Sequence, residues 1–118
     1  MPKMFDINRR WFFGTALLVA VVLIPARGQS AEAAFISAMN TAMVRMMAAM
    51  HIQPSHDVDR DFVDMMVPHH RGAIAMAEAE LRYGHNEQTR RLAQEIIVTQ
   101  QEEIAALRLS VGESIKER

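Results

Sequence analysis

Two methionines and two adjacent histidines surround a proline in residues 61–81, DFVDMMVPHHRGAIAMAEAEL. In a helix, residues four positions apart are neighbours, so Met65 can meet His69 and Met66 can meet His70. Thioether sulfur and imidazole nitrogen, without any thiolate, form a soft to borderline ligand set that suits copper. The spacing therefore predicts a copper site with these four residues as candidate ligands.

Methionine is the most unusual feature of the composition. The chain has ten methionines, and five of them fall between residues 39 and 50. Leucine packs a helical core with better-defined rotamers than methionine does, so this excess favours a role for sulfur. Thioethers bind Cu(I) better than Cu(II), and we expect Cu(I) to be the preferred ion. The leading candidate ligands are Met66, His69, His70 and Met76, and the methionines of the first helix are expected to supply a second or shared site: Met39, Met43, Met46, Met47 and Met50. Met65, His51 and His56 are further candidates.

Some of these residues have a simpler interpretation. Most methionine stripes in helices are hydrophobic core. His51 ends the first predicted helix, where a histidine interacts favourably with the helix dipole. His56 lies in a predicted turn and is either a ligand of a second site or an ordinary surface residue. Gln100 and Glu103 lie about one turn apart in the third predicted helix, where either side chain can orient a ligating histidine by a hydrogen bond.

The hydrophobic periodicity predicts three helices and no strand. The helices cover about residues 31–51, 59–83 and 87–111. Asp59 and Asn86 are the predicted N-caps of the second and third helices, and Gly84 follows the end of the second. Because the connections are short, neighbouring helices should be antiparallel. The predicted fold is all-α, a small antiparallel bundle of three to four helices.

Pro68 lies inside the second predicted helix. Proline removes one backbone hydrogen bond and clashes with the carbonyl four residues earlier, which costs about 3 kcal/mol in a helix interior. We therefore expect the second helix to bend at Pro68 or to divide into two helices there. Our hypothesis is that the bend turns His69 and His70 toward the methionine-rich first helix.

The first 28 residues have the layout of a secretory signal peptide. A basic region precedes an apolar run at residues 11–24, which is short for a membrane span of about 20 residues. Cleavage is expected after Gly28, and a site after Ala33 is also acceptable. Residues 29–118 then form one exported, periplasmic domain. The general secretory and twin-arginine routes both remain open, and a retained segment would anchor the chain to the membrane.

The composition of residues 29–118 argues against several functions. Nine basic and thirteen acidic residues give a net charge of −4 without a basic stripe, so no nucleic-acid partner is expected. The absence of cysteine excludes disulfides, thiolate metal sites and a thiol nucleophile. The Glu-x-x-His pairs of di-iron bundles, His-Glu-x-x-His and glycine-rich phosphate loops are also missing. We expect a protein that is not an enzyme, with no membrane partner after cleavage.

The segments DRDFVDMMVPHHRGAIAMAEAEL and RRLAQEIIVTQQEEIAAL resemble the bacterial domain of unknown function 305 (DUF305) family. The resemblance rests on an Asp-x-x-Phe start, a Met-x-x-His-His core, and Ala-x-x-Ile and Gln-x-x-Glu-Ile patterns in the third helix. It covers about residues 36–110. The residues that carry it are Asp59, Phe62, Met66, His69, His70, Ala73, Met76, Ala93, Ile96, Gln100, Glu103 and Ile104.

This resemblance implies a ferritin-like helical bundle and export. For some members of the family it also implies copper binding and copper resistance, with methionine and histidine ligands. His56 stands where glycine is common in the family, and Leu107 stands where methionine is common, so the number of sites is open.

The resulting prediction is an exported copper-binding protein that acts in periplasmic copper buffering, trafficking or resistance. The alternative is a structural or interaction module without metal or any other cofactor, whose methionine-rich groove binds a partner helix or mediates homodimerisation. A homodimer is compatible with both, because about 90 residues leave an apolar face to cover.

Overall fold

The computed structural model describes residues 26–114, which form three helices and contain no strand. The helices are α1 (Ala26–Ala49), α2 (Val58–Tyr83) and α3 (Glu87–Ser110). The all-α prediction is confirmed. The four-helix count stays a prediction, since three helices account for the described residues.

Helix α1 begins earlier than the periodicity predicted, at Ala26 rather than near residue 31, and ends at Ala49 rather than near residue 51. The predicted signal peptide lies outside the described residues up to residue 25. Among the helices that the structure describes, none combines the length and the apolar character needed to cross a membrane.

The start of α2 corrects one sequence prediction. Asp57, not Asp59, is the N-cap: its carboxylate accepts hydrogen bonds from the backbone N–H groups of Asp59 and Arg60. Asp59 and Asp61 lie in the first turn, where negative charge interacts favourably with the helix dipole. Hydrogen bonds from the side chain and the backbone N–H of Ser55 hold the pKa of Asp61 below its ordinary value. The loop before α2 is therefore tied to its first turn.

Helix α2 runs without interruption through Pro68. The division into two helices that the sequence allowed does not occur, and the bend stays a prediction. A single proline removes only one hydrogen bond from a 26-residue helix, and packing along both sides of α2 holds the rest of the helix together.

The described helices form a flat layer with α2 in the middle. Helix α1 packs against α2, and α2 packs against α3, while α1 and α3 make no close backbone contact within residues 26–114. The small buried residues Gly72 and Ala79 lie on the α1 side of α2, whereas Val63 and Ala77 lie on the α3 side. These two sides are roughly opposite around the helix axis, so the layer has two open faces.

Three polar contacts hold α3 beside α2. The guanidinium of Arg90 donates to the carbonyl oxygens of Leu81 and Gly84 at the end of α2. At the other end, Arg60 of α2 pairs with Glu113, with 2.7 Å between nitrogen and oxygen. Halfway along, an imidazole of α2 meets a carboxylate of α3. These contacts fix the two helices as an antiparallel hairpin.

Helix α1 approaches α2 most closely at Gly72. A Cβ atom built on Gly72 would lie 2.5 Å from the Sδ atom of Met46 and 2.8 Å from its Cβ atom. Distances this short do not occur between real side chains, so the methionine takes the space that a side chain at position 72 would need. Glycine is required here because the helices are close, not because of backbone conformation.

We expect Gly72→Ala to lower the free energy of unfolding by about 1–3 kcal/mol, the usual effect of overpacking a tight contact. Chemical denaturation monitored by circular dichroism measures this change. The double variant Gly72→Ala/Met46→Ala should regain part of the loss, because it removes the Cγ and Sδ atoms that the new methyl group meets. No loss in the single variant would show that α1 does not sit against Gly72.

The connection between α1 and α2 contains one unusual backbone conformation. His56 has φ of +68°, in the left-handed region that residues other than glycine rarely adopt, although histidine adopts it more often than most. This conformation gives a physical reason for the glycine that is common at this position in the family that the sequence resembles.

We expect His56→Gly to raise the free energy of unfolding by about 1 kcal/mol, since it removes the steric cost of left-handed backbone at this position. Thermal and urea unfolding of the two proteins provide the measurement. Gln53→Gly is the matched control: Gln53 is exposed in the same connection and lacks positive φ, so this change should be neutral or destabilising. Equal effects of the two substitutions would contradict the argument.

Candidate metal site on the open face of the helix layer

The two adjacent histidines of α2 lie in different environments. His70 is buried, with 8% of its surface exposed, and faces α3. His69 is exposed. Their rings meet edge to face, with centroids 5.8 Å apart. Consecutive residues of a helix point about 100° apart, so only one of the two can enter the α2–α3 contact.

His70 has a hydrogen-bonding partner at each ring nitrogen. Its Nδ1 atom lies 2.8 Å from the carbonyl oxygen of Met66, one turn earlier in α2. Its Nε2 atom lies 2.8 Å from Oε2 of Glu103 in α3. Gln100 donates from Nε2 to the same carboxylate oxygen at 3.0 Å. Gln100 and Glu103, the two residues predicted to orient a histidine, thus form a chain of contacts with His70, while their role around a metal stays a prediction.

These contacts limit what His70 can do. A carbonyl oxygen only accepts, so Nδ1 must carry the proton that goes to Met66. An ionised carboxylate also only accepts, so Nε2 donates to Glu103 when the imidazole is protonated. Nε2 is then the one nitrogen that a metal can reach, and it becomes a ligand only when it loses this proton. A groove of about 440 Å³, lined in part by Phe62, Met66, His70 and Glu103, gives access to it.

One open face of the layer is charged. Pro68, Arg71 and Ala75 of α2 line a groove of about 430 Å³ together with Thr41 and Arg45 of α1. Arg108 of α3 lies on this face as well, in a groove that it shares with Pro68 and Arg71. We call this side of the layer the arginine face, after Arg45, Arg71 and Arg108.

The other open face carries the methionines. On α1, the side opposite Thr41 and Arg45 displays Met39, Met43, Met47 and Met50 by helical periodicity. On α2, the side opposite Arg71 displays Met65, His69 and Met76. We call this side the methionine face and define it by those seven residues.

The register of the helices brings these side chains to similar heights. Because α1 and α2 are antiparallel and Met46 lies at Gly72, Met47 and Met50 come near the level of His69. By the same register Met43 comes near the level of Met76. The methionine face thus combines one exposed imidazole with thioethers from two helices.

Five of the predicted ligands lie off the methionine face: His70 and Met66 line the groove beside α3, and the other three lie elsewhere. Met46 packs between α1 and α2 against Gly72. His51 is exposed after the end of α1, and His56 is exposed in the connection. Residues 26–114 contain no group of three or more histidine, aspartate or glutamate side chains that could hold a metal ion. Most of the predicted ligands are methionines, which do not belong to such groups.

The apolar residues around the methionine face are exposed, which the periodicity did not predict. Ile36, Phe62, Leu92 and Ile96 are all large and exposed, and periodicity places them on the same side as His69 or the groove beside His70. A sequence signal for them is lacking, because an amphipathic helix shows the same spacing whether its apolar side is covered or open.

A comparison with known families gave a match. The model of a domain of unknown function, DUF305, matches residues 21–110. The chain belongs to the DUF305 family. The match includes α1, α2 and α3 in full, and with them His69, His70 and the Gln100–Glu103 pair of this DUF305 protein. A comparison with curated proteins gave no match.

We expect Glu103→Ala to lower the free energy of unfolding by about 1 kcal/mol, because it leaves the buried Nε2 atom of His70 without its partner. The carboxylate is about half exposed, so solvent screening keeps the effect small. Urea denaturation measures the change, and ¹⁵N NMR of the His70 ring shows the loss of the contact. Glu102→Ala, an exposed neighbour without an ion pair in the described structure, is the control and should be neutral. Equal effects of the two changes would contradict the assignment.

Proposed function

We propose that this DUF305 protein is an exported copper-binding protein that holds Cu(I) on its methionine face and acts in periplasmic copper buffering, trafficking or resistance. The observation that carries the proposal is the placement of His69 on one open face with thioethers from α1 and α2. Met43 is 44% exposed and Met47 is 65% exposed. Methionines that only fill a core are buried, and these two are not.

The donor set fits Cu(I). Thioether sulfur is a soft and neutral ligand, and imidazole is a borderline one. Since thioether needs no deprotonation, the methionines bind the ion over a wide pH range, while His69 must be neutral to contribute its nitrogen. His69 is exposed and has no hydrogen bond among the described residues, so nothing within residues 26–114 competes for its ring nitrogens except the ring contact with His70.

His70 and Met66 are candidates for a second, weaker site. Their groove is open to a small ion, but a metal at Nε2 of His70 has to disturb the contact with Glu103. The Glu103 carboxylate then becomes either a ligand or the partner that holds the imidazole in place. We propose no reaction at either site, and copper is the cargo.

The second candidate function is an interaction module without metal. The exposed apolar residues favour it, because Phe62, Leu92 and Ile96 have no ligand atom and still lie on or beside the methionine face. In this case the face binds a partner helix or a second copy, and the methionines provide a flexible apolar surface.

A Cu(I) titration against a chromogenic chelator tests the proposal. The parent should take Cu(I) from the chelator, and His69→Ala should weaken binding at least about tenfold, equivalent to about 1.4 kcal/mol for one lost ligand. His85→Ala is the matched control, because His85 is also exposed but lies in the α2–α3 connection, and it should bind as the parent does.

The double variant Met43→Leu/Met47→Leu tests whether binding depends on sulfur or on apolar character. It keeps the apolar volume and removes two thioethers. If copper is the function, this variant binds Cu(I) more weakly at unchanged stability. If the parent takes up no more Cu(I) than the His69→Ala variant, the proposal is wrong and the interaction module is favoured.

A further inference from the structure

The described part of the chain does not cover its own apolar surface. No large side chain within residues 26–114 is fully buried. On or beside the methionine face, large apolar side chains from all three helices remain 38–65% exposed. These are Ile36, Met43, Met47, Phe62, Met65, Leu92 and Ile96.

The area of this surface is close to what a stable dimer needs. A large side chain presents about 200 Å² when fully exposed, so the seven residues at roughly half exposure contribute on the order of 650 Å². A standard interface buries about 800 Å² on each partner. The half-buried Met39, Met50 and Met76 on the same face add to the total.

The distribution of charge between the two open faces favours a second copy of this chain as the partner of the methionine face. The arginines lie on the opposite face, and the carboxylate of Glu103, near the groove, is already paired with His70. Two carboxylates share this side by helical periodicity, Glu32 and Glu80, and they lie together at one end of the layer beside Tyr83 and His85. The middle of the methionine face therefore offers a strongly charged partner little complementary charge. A second copy meets it without bringing like charges together, as an interface with two-fold symmetry requires.

We propose that two copies pack through their methionine faces, with the two-fold axis passing near the middle of α2. His69 and the small residue Ala73 lie there on the open side of α2, and Ala73 lets the two central helices approach closely. The product is a two-layer arrangement of six helices with the arginine faces outside.

This arrangement completes the copper site, and in this respect it rests on the proposed function. One copy offers a single imidazole on the face, because His70 is turned toward α3. Two copies bring two His69 rings to the axis, with thioethers from both chains around them. Copper that binds between the copies stabilises the dimer, and the dimer raises the affinity for copper by the same factor.

Sedimentation of the full chain, produced with a C-terminal tag and with its N-terminus determined by mass, tests the interface. The parent should sediment as a dimer at micromolar concentration, and Leu92→Glu should be monomeric. The matched control is Val98→Glu. Val98 is 55% exposed and Leu92 is 51% exposed on the same helix, but Val98 lies away from the methionine face, so this variant should stay dimeric. Circular dichroism verifies that both variants fold.

Cysteine cross-linking locates the axis. The chain has no cysteine, so a single introduced thiol reports only its own neighbourhood. Under mild oxidation, Ala73→Cys should form an intermolecular disulfide, which needs Cα atoms about 4.4–6.8 Å apart. Arg71→Cys, on the arginine face, should not. Efficient cross-linking of the second variant and none of the first would overturn the proposed geometry.

The outcomes separate the interface from the copper site. If the parent stays monomeric up to about 100 μM, its self-association is far weaker than that of a standard interface, and the dimer proposal is wrong. If that monomer binds Cu(I), the proposed function stands without the shared site. A dimer that binds no Cu(I) supports the interface and contradicts the copper proposal. In the Leu92→Glu variant, a Cu(I) affinity equal to that of the parent would show that the site needs only one copy.

Discussion

The arrangement of the described helices depends on the packing of α2 along two opposite sides. Gly72 accepts Met46 from α1 on one side, and His70 meets Glu103 of α3 on the other. Because the two contacts are roughly opposite around the axis, α1 and α3 do not close on each other, and two faces stay open. The separation of the arginines from the methionines follows from this geometry, since each side chain of α2 that joins neither contact must point to one face or the other.

The helices and most of their ends could be predicted from local signals. Asn86 is the N-cap of α3 and Gly84 follows α2, as the sequence indicated. Asp57, Asp59 and Asp61 are equally good capping residues, and their alternation does not show which one leaves the helix. Asp57 becomes the N-cap in a loop that Ser55 holds in place. The backbone N–H of Ser55 donates to the carboxylate of Asp61, and its hydroxyl hydrogen-bonds to the backbone of Asp57. Such a network involves the loop as well as the helix, and helical periodicity carries no information about it.

The candidate site was only partly predictable, for a related reason. The spacing of residues shows that His69 and His70 cannot face the same way, and it places the methionines of α1 in rows. It does not show which histidine meets α3, because that depends on where α3 sits around α2. Nor does it show that Met46 turns inward, which follows from the absence of a side chain at Gly72. Neighbouring positions with the same residue type thus differ in role through tertiary packing.

The contrast between the two helix contacts also affects how the molecule opens. The contact of α3 with α2 includes hydrogen bonds from Arg90 to backbone carbonyls at one end, an ion pair at the other, and the His70–Glu103 contact between them. Between residues 31–49 of α1 and α2, the structure shows apolar packing and no hydrogen bond or ion pair. Regions with fewer cooperative contacts open at a lower free energy. The backbone amides of α1 should therefore exchange with solvent deuterium faster than those of α2 and α3. The molecule then behaves as a stable hairpin with a helix that can detach, which would let the α1 thioethers enter and leave the site without unfolding the histidine-bearing helix.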